Sequence, residues 1–213
     1  MYTNWTVEEL ISFEEEVATL FKKGKIPFPT HLSGGNEAML IALFSNIKKA
    51  DWVFSSHRNH YHYLLKGGNA EKLILELKGK KEGICQGKAG SMHLTVPELN
   101  FYTSAIIGGT CAIAVGVALS LKKRWALKKG VKPHVWCFVG DGCEDTGHFI
   151  EAVRFGNARS LPLTFIIEDN DRAVETTKGE RWHNFTPIKG RNILRYEYKL
   201  TYPHVGVGEH VSM

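Results

Sequence analysis

The stretch VWCFVGDG at residues 135–142 decides the fold, and TFIIEDN at residues 164–170 completes its pattern. Each is an apolar run that ends in glycine or polar residues, and a helix-length segment separates the two. A strand, a helix and a second strand in this order predict a right-handed parallel crossover. Asp141 and Asn170 are therefore expected together at the carboxyl ends of neighbouring strands, where open α/β sheets bind ligands.

The residue types at this edge indicate a metal-bound diphosphate. A carboxylate and an amide oxygen are ligands that suit Mg²⁺, and the glycines beside Asp141 let the backbone approach a phosphate closely. A Gly-Asp-Gly triplet alone also fits an ordinary turn between a strand and a helix. The prediction therefore depends on the whole strand–helix–strand pattern, not on the triplet.

The rest of the chain alternates between helical patterns and short apolar runs. This alternation predicts an α/β fold, a doubly wound, mostly parallel sheet with helices on both faces, in a single domain covering residues 1–213. Residues 171–191 are polar and without hydrophobic periodicity, and we expect them to form a loop over the binding face. The predicted helices cover residues 7–21, 38–47, 70–78, 104–127 and 147–158, and the other predicted strands cover residues 53–56 and 193–201.

Composition and charge exclude several classes of protein. Apolar residues make up 43% and charged residues 23% of the 213 positions, as in ordinary soluble globular proteins. The net charge of +5 is scattered, and the short cluster Lys122-Lys123-Arg124 is expected to be a solvated helix end. We therefore expect no nucleic-acid interface.

No membrane or secretion signal is expected from the sequence. Residues 104–121 carry no charge, but Gly108-Gly109-Thr110 interrupts them, so a buried core helix is predicted there. The amino-terminal residues do not resemble a signal peptide. The four cysteines lack CxxC spacing, which favours a reduced, cytoplasmic chain without a zinc site. Cys143 follows the triplet directly, yet a catalytic thiol there is a remote alternative.

Four motifs occur in the order found in one enzyme family. They are THLSGGNEA (30–38), DWVFSSHRNH (51–60), GKAGSMH (87–93), and GDG (140–142) with EDN (168–170). On these motifs the chain resembles the alpha subunit of the first, decarboxylating component of thiamine-diphosphate-dependent 2-oxo acid dehydrogenases. The similarity runs from about residue 10 to about residue 175.

The resemblance implies thiamine diphosphate and Mg²⁺ as cofactors. Asp141 and Asn170 would bind Mg²⁺ through their side chains, and the backbone carbonyl of Arg172 would be a third ligand. The diphosphate would be bound by the Arg58 guanidinium, by His57, which replaces the family's tyrosine, and by the backbone N–H groups of Gly142 and Cys143. The backbone at Ala105 and Ile107 would hold the aminopyrimidine ring.

Two histidines are candidates for a catalytic role. His93 could act directly or belong to a structural turn, and His204 could be the family's phosphate-side histidine, a position for which His210 is the alternative. Arg58 and His60 could instead cap a strand. His31 is a weaker catalytic candidate.

The family's chemistry also requires a glutamate beside the aminopyrimidine ring, and this chain has no convincing candidate. Glu37, Glu144 and Glu151 all fit structural roles better. In two-chain members the beta chain provides that glutamate. The resemblance therefore implies an α₂β₂ assembly with a beta-type subunit, inactivity of this chain alone, and a lipoyl acyltransferase as a further potential partner.

Three departures from the family pattern keep two other functions open. The chain has fewer residues after Thr177 than familiar alpha subunits, residues 122–133 contain an insertion, and Asp169 stands in the EDN element where asparagine is common. The enzymatic alternative is a split transketolase-like or acyl-transferring synthase subunit. The non-enzymatic alternative is a binding module that retains the fold without catalysis.

Overall fold

The computed structural model describes residues 5–126 and 132–211 and contains a central six-stranded sheet. The strands are β1 (Trp52–Ser55), β2 (Thr95–Val96), β3 (Phe101–Thr103), β4 (Val135–Gly140), β5 (Leu163–Asp169), β6 (Arg172–Ala173), β7 (Thr176–Thr177) and β8 (Ile193–Glu197). The order in the central sheet is β2-β3-β1-β4-β5-β8, and every neighbouring pair is parallel except the edge pair β2–β3. The predicted mostly parallel sheet is therefore confirmed.

Helices cover both faces of this sheet, as the doubly wound prediction required. One face packs against α1 (Val7–Lys22), α2 (Glu37–Phe44), α3 (His60–Leu65) and α4 (Ala70–Leu77), and the other against α5 (Gly109–Trp125) and α6 (Gly147–Ala158). Alternate residues of a strand enter opposite cores: Phe138 and Ile166 contribute to the first, and Cys137 and Phe165 to the second. Strands buried on both faces explain the continuous apolar runs of β4 and β5.

The predicted core helix at residues 104–127 begins later than expected. Gly108 has a φ of +74°, a left-handed conformation that separates the preceding loop from α5. Residues 104–108 therefore belong to the ligand-binding edge. In the described part of the chain, no helix is long and apolar enough to cross a membrane. Residue 127 of the predicted helix and residues 127–131 of the predicted insertion at 122–133 lie outside the described residues.

The segment after Asn170 has more regular structure than the sequence analysis predicted. Strands β6 and β7 form a short hairpin, and α7 (Lys178–Arg181) follows at once. Thr177 and Glu180 form a capping box at the start of α7, a pattern of Thr followed three residues later by Glu that the sequence contains. The prediction of an irregular loop was wrong for residues 172–181. Strand β8 ends at Glu197, four residues before the predicted end.

Candidate cofactor-binding cleft

A cleft opens at the carboxyl ends of β1, β4 and β5, where the parallel strands lead into loops. It contains about 710 Å³ of space, including open solvent at its mouth. Four chain segments and two later residues form its walls. The lining residues are Ser56–Arg58, Ser104–Gly108 with Thr110, Val139–Cys143, Glu168, Asn170, Arg172–Val174, Tyr198 and His204.

The structure brings nearly all of the predicted site residues to this cleft. The lining includes all nine residues predicted to bind the cofactor, and His204 as well. His93 does not line the cleft: it is exposed, and its backbone N–H donates to the Ala89 carbonyl at 3.3 Å. The four segments converge because parallel strands place their carboxyl ends at one edge of the sheet.

Asp141 is buried at the start of the turn that follows β4. Its Oδ2 accepts a hydrogen bond from Arg181 Nη2 at 3.1 Å, whereas its buried Oδ1 has no partner among the described residues. Burial raises the pKa of the Asp141 carboxyl, and the hydrogen bond from Arg181 opposes this increase. A buried carboxylate oxygen without a donor is the ligand that a bound cation would satisfy.

Hydrogen bonds at both polar atoms of the side-chain amide fix the position of Asn170. Its Nδ2 donates to Tyr198 Oη at 3.2 Å, and its Oδ1 accepts from the Arg172 backbone N–H at 3.0 Å. Asp171 between them has a φ of +61°, which closes this tight turn. A carbonyl oxygen has two lone pairs, so the Asn170 Oδ1 retains one for a metal ion.

Three imidazoles surround Arg58 at one side of the cleft. The ring centroids of His31, His57 and His204 lie 4.8–5.6 Å apart. Arg58 Nη1 donates to His57 Nε2 at 2.6 Å, and Arg58 Nη2 donates to the His204 carbonyl at 3.3 Å. Arg58 Nε is buried and has no partner in the described parts of the chain.

Burial and positive neighbours keep these imidazoles neutral. Burial, reinforced by Arg58, lowers the pKa of His57 to about 2, and burial together with His204 lowers the pKa of His31 to about 4. A neutral His57 ring has a free lone pair on Nε2 and can accept from Arg58. His57 thus acts as an acceptor that orients the Arg58 guanidinium.

Glu168 and Asp169, which end β5, are held in separate networks. Glu168 Oε1 accepts from Tyr196 Oη at 2.5 Å and His62 Nε2 at 3.1 Å. Asp169 pairs with Lys178 and with Arg195, whose Nη1 lies 2.6 Å away. Burial alone would raise the pKa of Asp169, but these cations lower it overall. Asp169 therefore belongs to an ion-pair cluster.

Cys143 and His60 have structural environments. The Cys143 Sγ lies 3.9 Å from Cys111 Sγ, and this neighbour together with burial raises the pKa of the Cys143 thiol. A catalytic thiol there is not supported, because the thiolate is the nucleophile. His60 is fully buried and bridges Glu14 Oε1 and Ser91 Oγ, which fixes the GKAGSMH segment against α1.

Sequence reasoning missed three residues that shape the cleft or its acidic edge. Tyr198 and Glu168 line the cleft, and Arg181 pairs with Asp141. Glu168 belongs to the EDN motif, so its position could have been inferred from the end of β5. Arg181 could not, because 40 residues separate it from Asp141 and no local pattern connects them.

The arrangement suits a divalent cation and a phosphate-bearing ligand. An unpartnered carboxylate oxygen and an amide oxygen lie at the ends of neighbouring strands, and a guanidinium with an unpartnered Nε lines the same cleft. These are hard oxygen ligands for Mg²⁺ and a planar donor for phosphate oxygens.

Known proteins share this sequence pattern. The sequence model of the family described as "Dehydrogenase E1 component" matches residues 6–193. The chain is 33% identical over 163 residues to the alpha subunit of acetoin:2,6-dichlorophenolindophenol oxidoreductase from Bacillus subtilis (strain 168), covering 76% of this chain and 47% of the relative. It is 36% identical over 165 residues to the chloroplastic pyruvate dehydrogenase E1 component subunit alpha-3 of Arabidopsis thaliana, covering 76% and 39%.

A third relative is the pyruvate dehydrogenase E1 component subunit alpha of Rickettsia prowazekii (strain Madrid E), 33% identical over 166 residues, covering 78% of this chain and 49% of the relative. The chain thus spans about half the length of the curated relatives it matches, or less. The matched residues include every strand that forms the cleft. The chain belongs to the dehydrogenase E1 component family.

Proposed function

We propose that this chain is the alpha-type subunit of a thiamine-diphosphate-dependent 2-oxo acid dehydrogenase and binds the Mg²⁺-diphosphate end of the cofactor. The observation that carries the proposal is the buried Oδ1 of Asp141, which has no partner in the described part of the chain, in a cleft that Asn170 and Arg58 also line. Family membership and relatives named as alpha subunits of pyruvate dehydrogenase E1 and of an acetoin oxidoreductase support it.

Each polar group at the cleft has a role in this proposal. Asp141 Oδ1, Asn170 Oδ1 and the Arg172 carbonyl would hold Mg²⁺, together with diphosphate oxygens and water. Arg58, oriented by His57, would bind the diphosphate together with the backbone N–H groups of Gly142 and Cys143. His204, beside Arg58, would lie on the phosphate side.

The apolar wall of the cleft serves the other end of the cofactor. The backbone at Ala105 and Ile107 would hold the aminopyrimidine, and the side chains of Ile106, Ile107 and Val174 would exclude water from it. When bound, thiamine diphosphate supplies a carbon nucleophile for the carbonyl of a 2-oxo acid and accepts electrons after carbon dioxide leaves. His93 remains a predicted catalytic residue that would have to act from outside this wall.

The activating glutamate is proposed to come from a beta-type partner. Glu37 accepts from the Gly35 N–H and from Tyr61 Oη, and Glu144 accepts from the Ile188 N–H and pairs with Arg195. These carboxylates are committed to structural contacts, and Glu151 is exposed on α6. The site would therefore be completed in an α₂β₂ assembly, with a lipoyl acyltransferase as a potential acyl acceptor.

The experiment that tests this proposal is cofactor binding by the Asp141→Ala variant in the complex isolated with its partner. We expect calorimetry to show loss of thiamine diphosphate binding in the presence of Mg²⁺, with an unchanged circular dichroism spectrum. Glu151→Ala removes an exposed carboxylate and is the matched control. Retained binding in Asp141→Ala would refute the site.

Activity assays separate the proposed reaction from its alternatives. If the proposed dehydrogenase function is right, the complex should reduce an artificial electron acceptor when a 2-oxo acid is the substrate. Transfer of a two-carbon unit from a ketose to an aldehyde, with no oxidation of 2-oxo acids, would instead support a split transketolase-like subunit. Absence of cofactor binding in the wild-type complex would support a binding module.

A further inference from the structure

Arg181 occupies a position beside the candidate metal site that neither the family motifs nor the sequence pattern assigns. It is the last residue of α7, and its side chain is only 13% exposed. Its Nη2 donates to Asp141 Oδ2 at 3.1 Å, its Nε lies 3.2 Å from Asp145 Oδ2, and its Nη1 donates to the Thr176 carbonyl at 3.3 Å. The guanidinium is thus fixed between two carboxylates and a backbone oxygen.

The surrounding segment holds Arg181 against the Gly-Asp-Gly turn. Lys178, at the other end of α7, pairs with Asp169, and the capping box closes the same helix. Ala173 of the hairpin packs so closely on Gly142 that an added Cβ would lie 2.8 Å from the Ala173 Cβ. Arg181 therefore belongs to a segment that packs against the turn carrying Asp141.

Among the described residues Arg181 is the cation that pairs directly with Asp141, whereas Lys178 and Arg58 act on it only through their charge. Asp169 is paired with Lys178 and Arg195, and Glu144 is paired with Arg195. A divalent ion bound to Asp141 Oδ1 would share the carboxylate with the guanidinium on Oδ2. Asp145 offsets part of the Arg181 charge, but the metal ion and the guanidinium would still lie on opposite oxygens of one buried carboxylate and repel each other, because the effective dielectric constant there is far below that of water.

A bound diphosphate removes the repulsion between the metal ion and Arg181. It brings two to three negative charges to the metal, so the metal and diphosphate together are neutral or negative beside Arg181. We propose that Arg181 couples metal binding to diphosphate binding: the site excludes free divalent cations and accepts the metal ion together with the diphosphate. This inference rests on the proposed function of the cleft and concerns how its two components enter.

The test measures Mn²⁺ binding by electron paramagnetic resonance on the full chain, purified with its partner and stripped of metal. Titrations are made with Mn²⁺ alone and with Mn²⁺ plus saturating thiamine diphosphate. The variants are Arg181→Gln, which removes the charge, and Arg181→Lys, which keeps it. Arg191→Gln, an exposed arginine of the same chain region, is the matched control for a loss of one positive charge.

Arg181→Gln should bind Mn²⁺ alone at least about tenfold more tightly than the wild type, and bind it with thiamine diphosphate within about threefold of the wild type. Arg181→Lys and Arg191→Gln should behave like the wild type. Unchanged or weakened binding of Mn²⁺ alone by Arg181→Gln, with the wild type binding metal and cofactor together, would overturn the inference. Failure of the wild type to bind Mn²⁺ even with thiamine diphosphate would instead refute the proposed function.

Urea midpoints within error of the wild type confirm that each variant is folded. If Arg181→Gln fails to fold, tighter binding of Mn²⁺ alone by Arg181→Lys overturns the inference.

Discussion

The two glycines on either side of Asp141 meet different surroundings. A Cβ added to Gly140 would have no heavy atom within 4 Å, whereas one added to Gly142 would lie 2.8 Å from the Ala173 Cβ. Gly140 also has a φ of −75°, a conformation that any residue adopts. The close approach therefore places a steric requirement on Gly142 but not on Gly140.

This difference predicts unequal outcomes for two alanine variants. Gly142→Ala must displace the β6–β7 hairpin and move the turn carrying Asp141, so we expect thiamine diphosphate affinity to fall at least about tenfold. Gly140→Ala should lower the affinity less than Gly142→Ala, because the added methyl group meets no heavy atom of the described residues within 4 Å and the turn carrying Asp141 stays in place. Calorimetry on the two purified complexes measures both affinities. Equal effects of the two substitutions would show that the packing of Ala173 on Gly142 does not position the site.

At the scale of secondary-structure elements, α4 organises the glycine-rich segment that follows it. The carboxylate of Glu76, fully buried, accepts hydrogen bonds from the backbone N–H groups of Cys85 at 2.7 Å, Gly87 at 2.9 Å and Ala89 at 2.8 Å. Three donors on one charged group compensate for its burial. The GKAGSMH motif thus owes its local shape to a residue eleven positions before its first glycine.

Substituting Glu76 tests this dependence. In Glu76→Gln one oxygen becomes an NH₂ group that faces backbone donors, so we expect a loss of about 2 kcal/mol in the free energy of unfolding. Urea denaturation measures this loss, and hydrogen exchange should become faster at residues 85–89. Glu71→Gln, on the exposed surface of the same helix, is the control and should change stability by less than about 0.5 kcal/mol. Unaltered exchange at residues 85–89 in Glu76→Gln would contradict the proposed anchoring.

At the scale of the whole molecule, sequence reasoning predicts those features of the fold that a local pattern of residues determines. Strands β4 and β5 are long apolar runs with polar ends, so their pairing and the meeting of Asp141 with Asn170 follow from a single crossover. Strands β2 and β3 have two and three residues, too few for a pattern. The Arg181–Asp141 pair joins residues 40 positions apart, and the His31–His57–His204 group joins residues 26 to 173 positions apart. Such contacts depend on how whole elements pack, and no local signal reports them.

Exposed isoleucines bear on how the subunits assemble. Ile106 and Ile107 at the cleft mouth are 68% and 51% exposed, and Ile113 of α5 and Ile150 of α6 are 58% and 41% exposed. Ile113 and Ile150 belong to α5 and α6, which cover one face of the sheet, and Ile106 and Ile107 line the cleft that a second chain would complete. Large apolar side chains gathered beside a functional cleft are typical of a protein interface.

A charge placed on this surface should prevent assembly. Ile113→Asp would bury an unpaired carboxylate in the interface, which costs several kcal/mol and weakens association at least about a hundredfold. We expect the tagged variant to elute as a free subunit, without a beta-type chain, when analysed by size exclusion with light scattering. Ile11→Asp is the control, because Ile11 is 39% exposed on α1, on the opposite face of the sheet, and should leave the complex intact. Co-purification of the partner with Ile113→Asp in wild-type amounts would place the interface elsewhere, and the search for the glutamate donor would move to another surface of this chain.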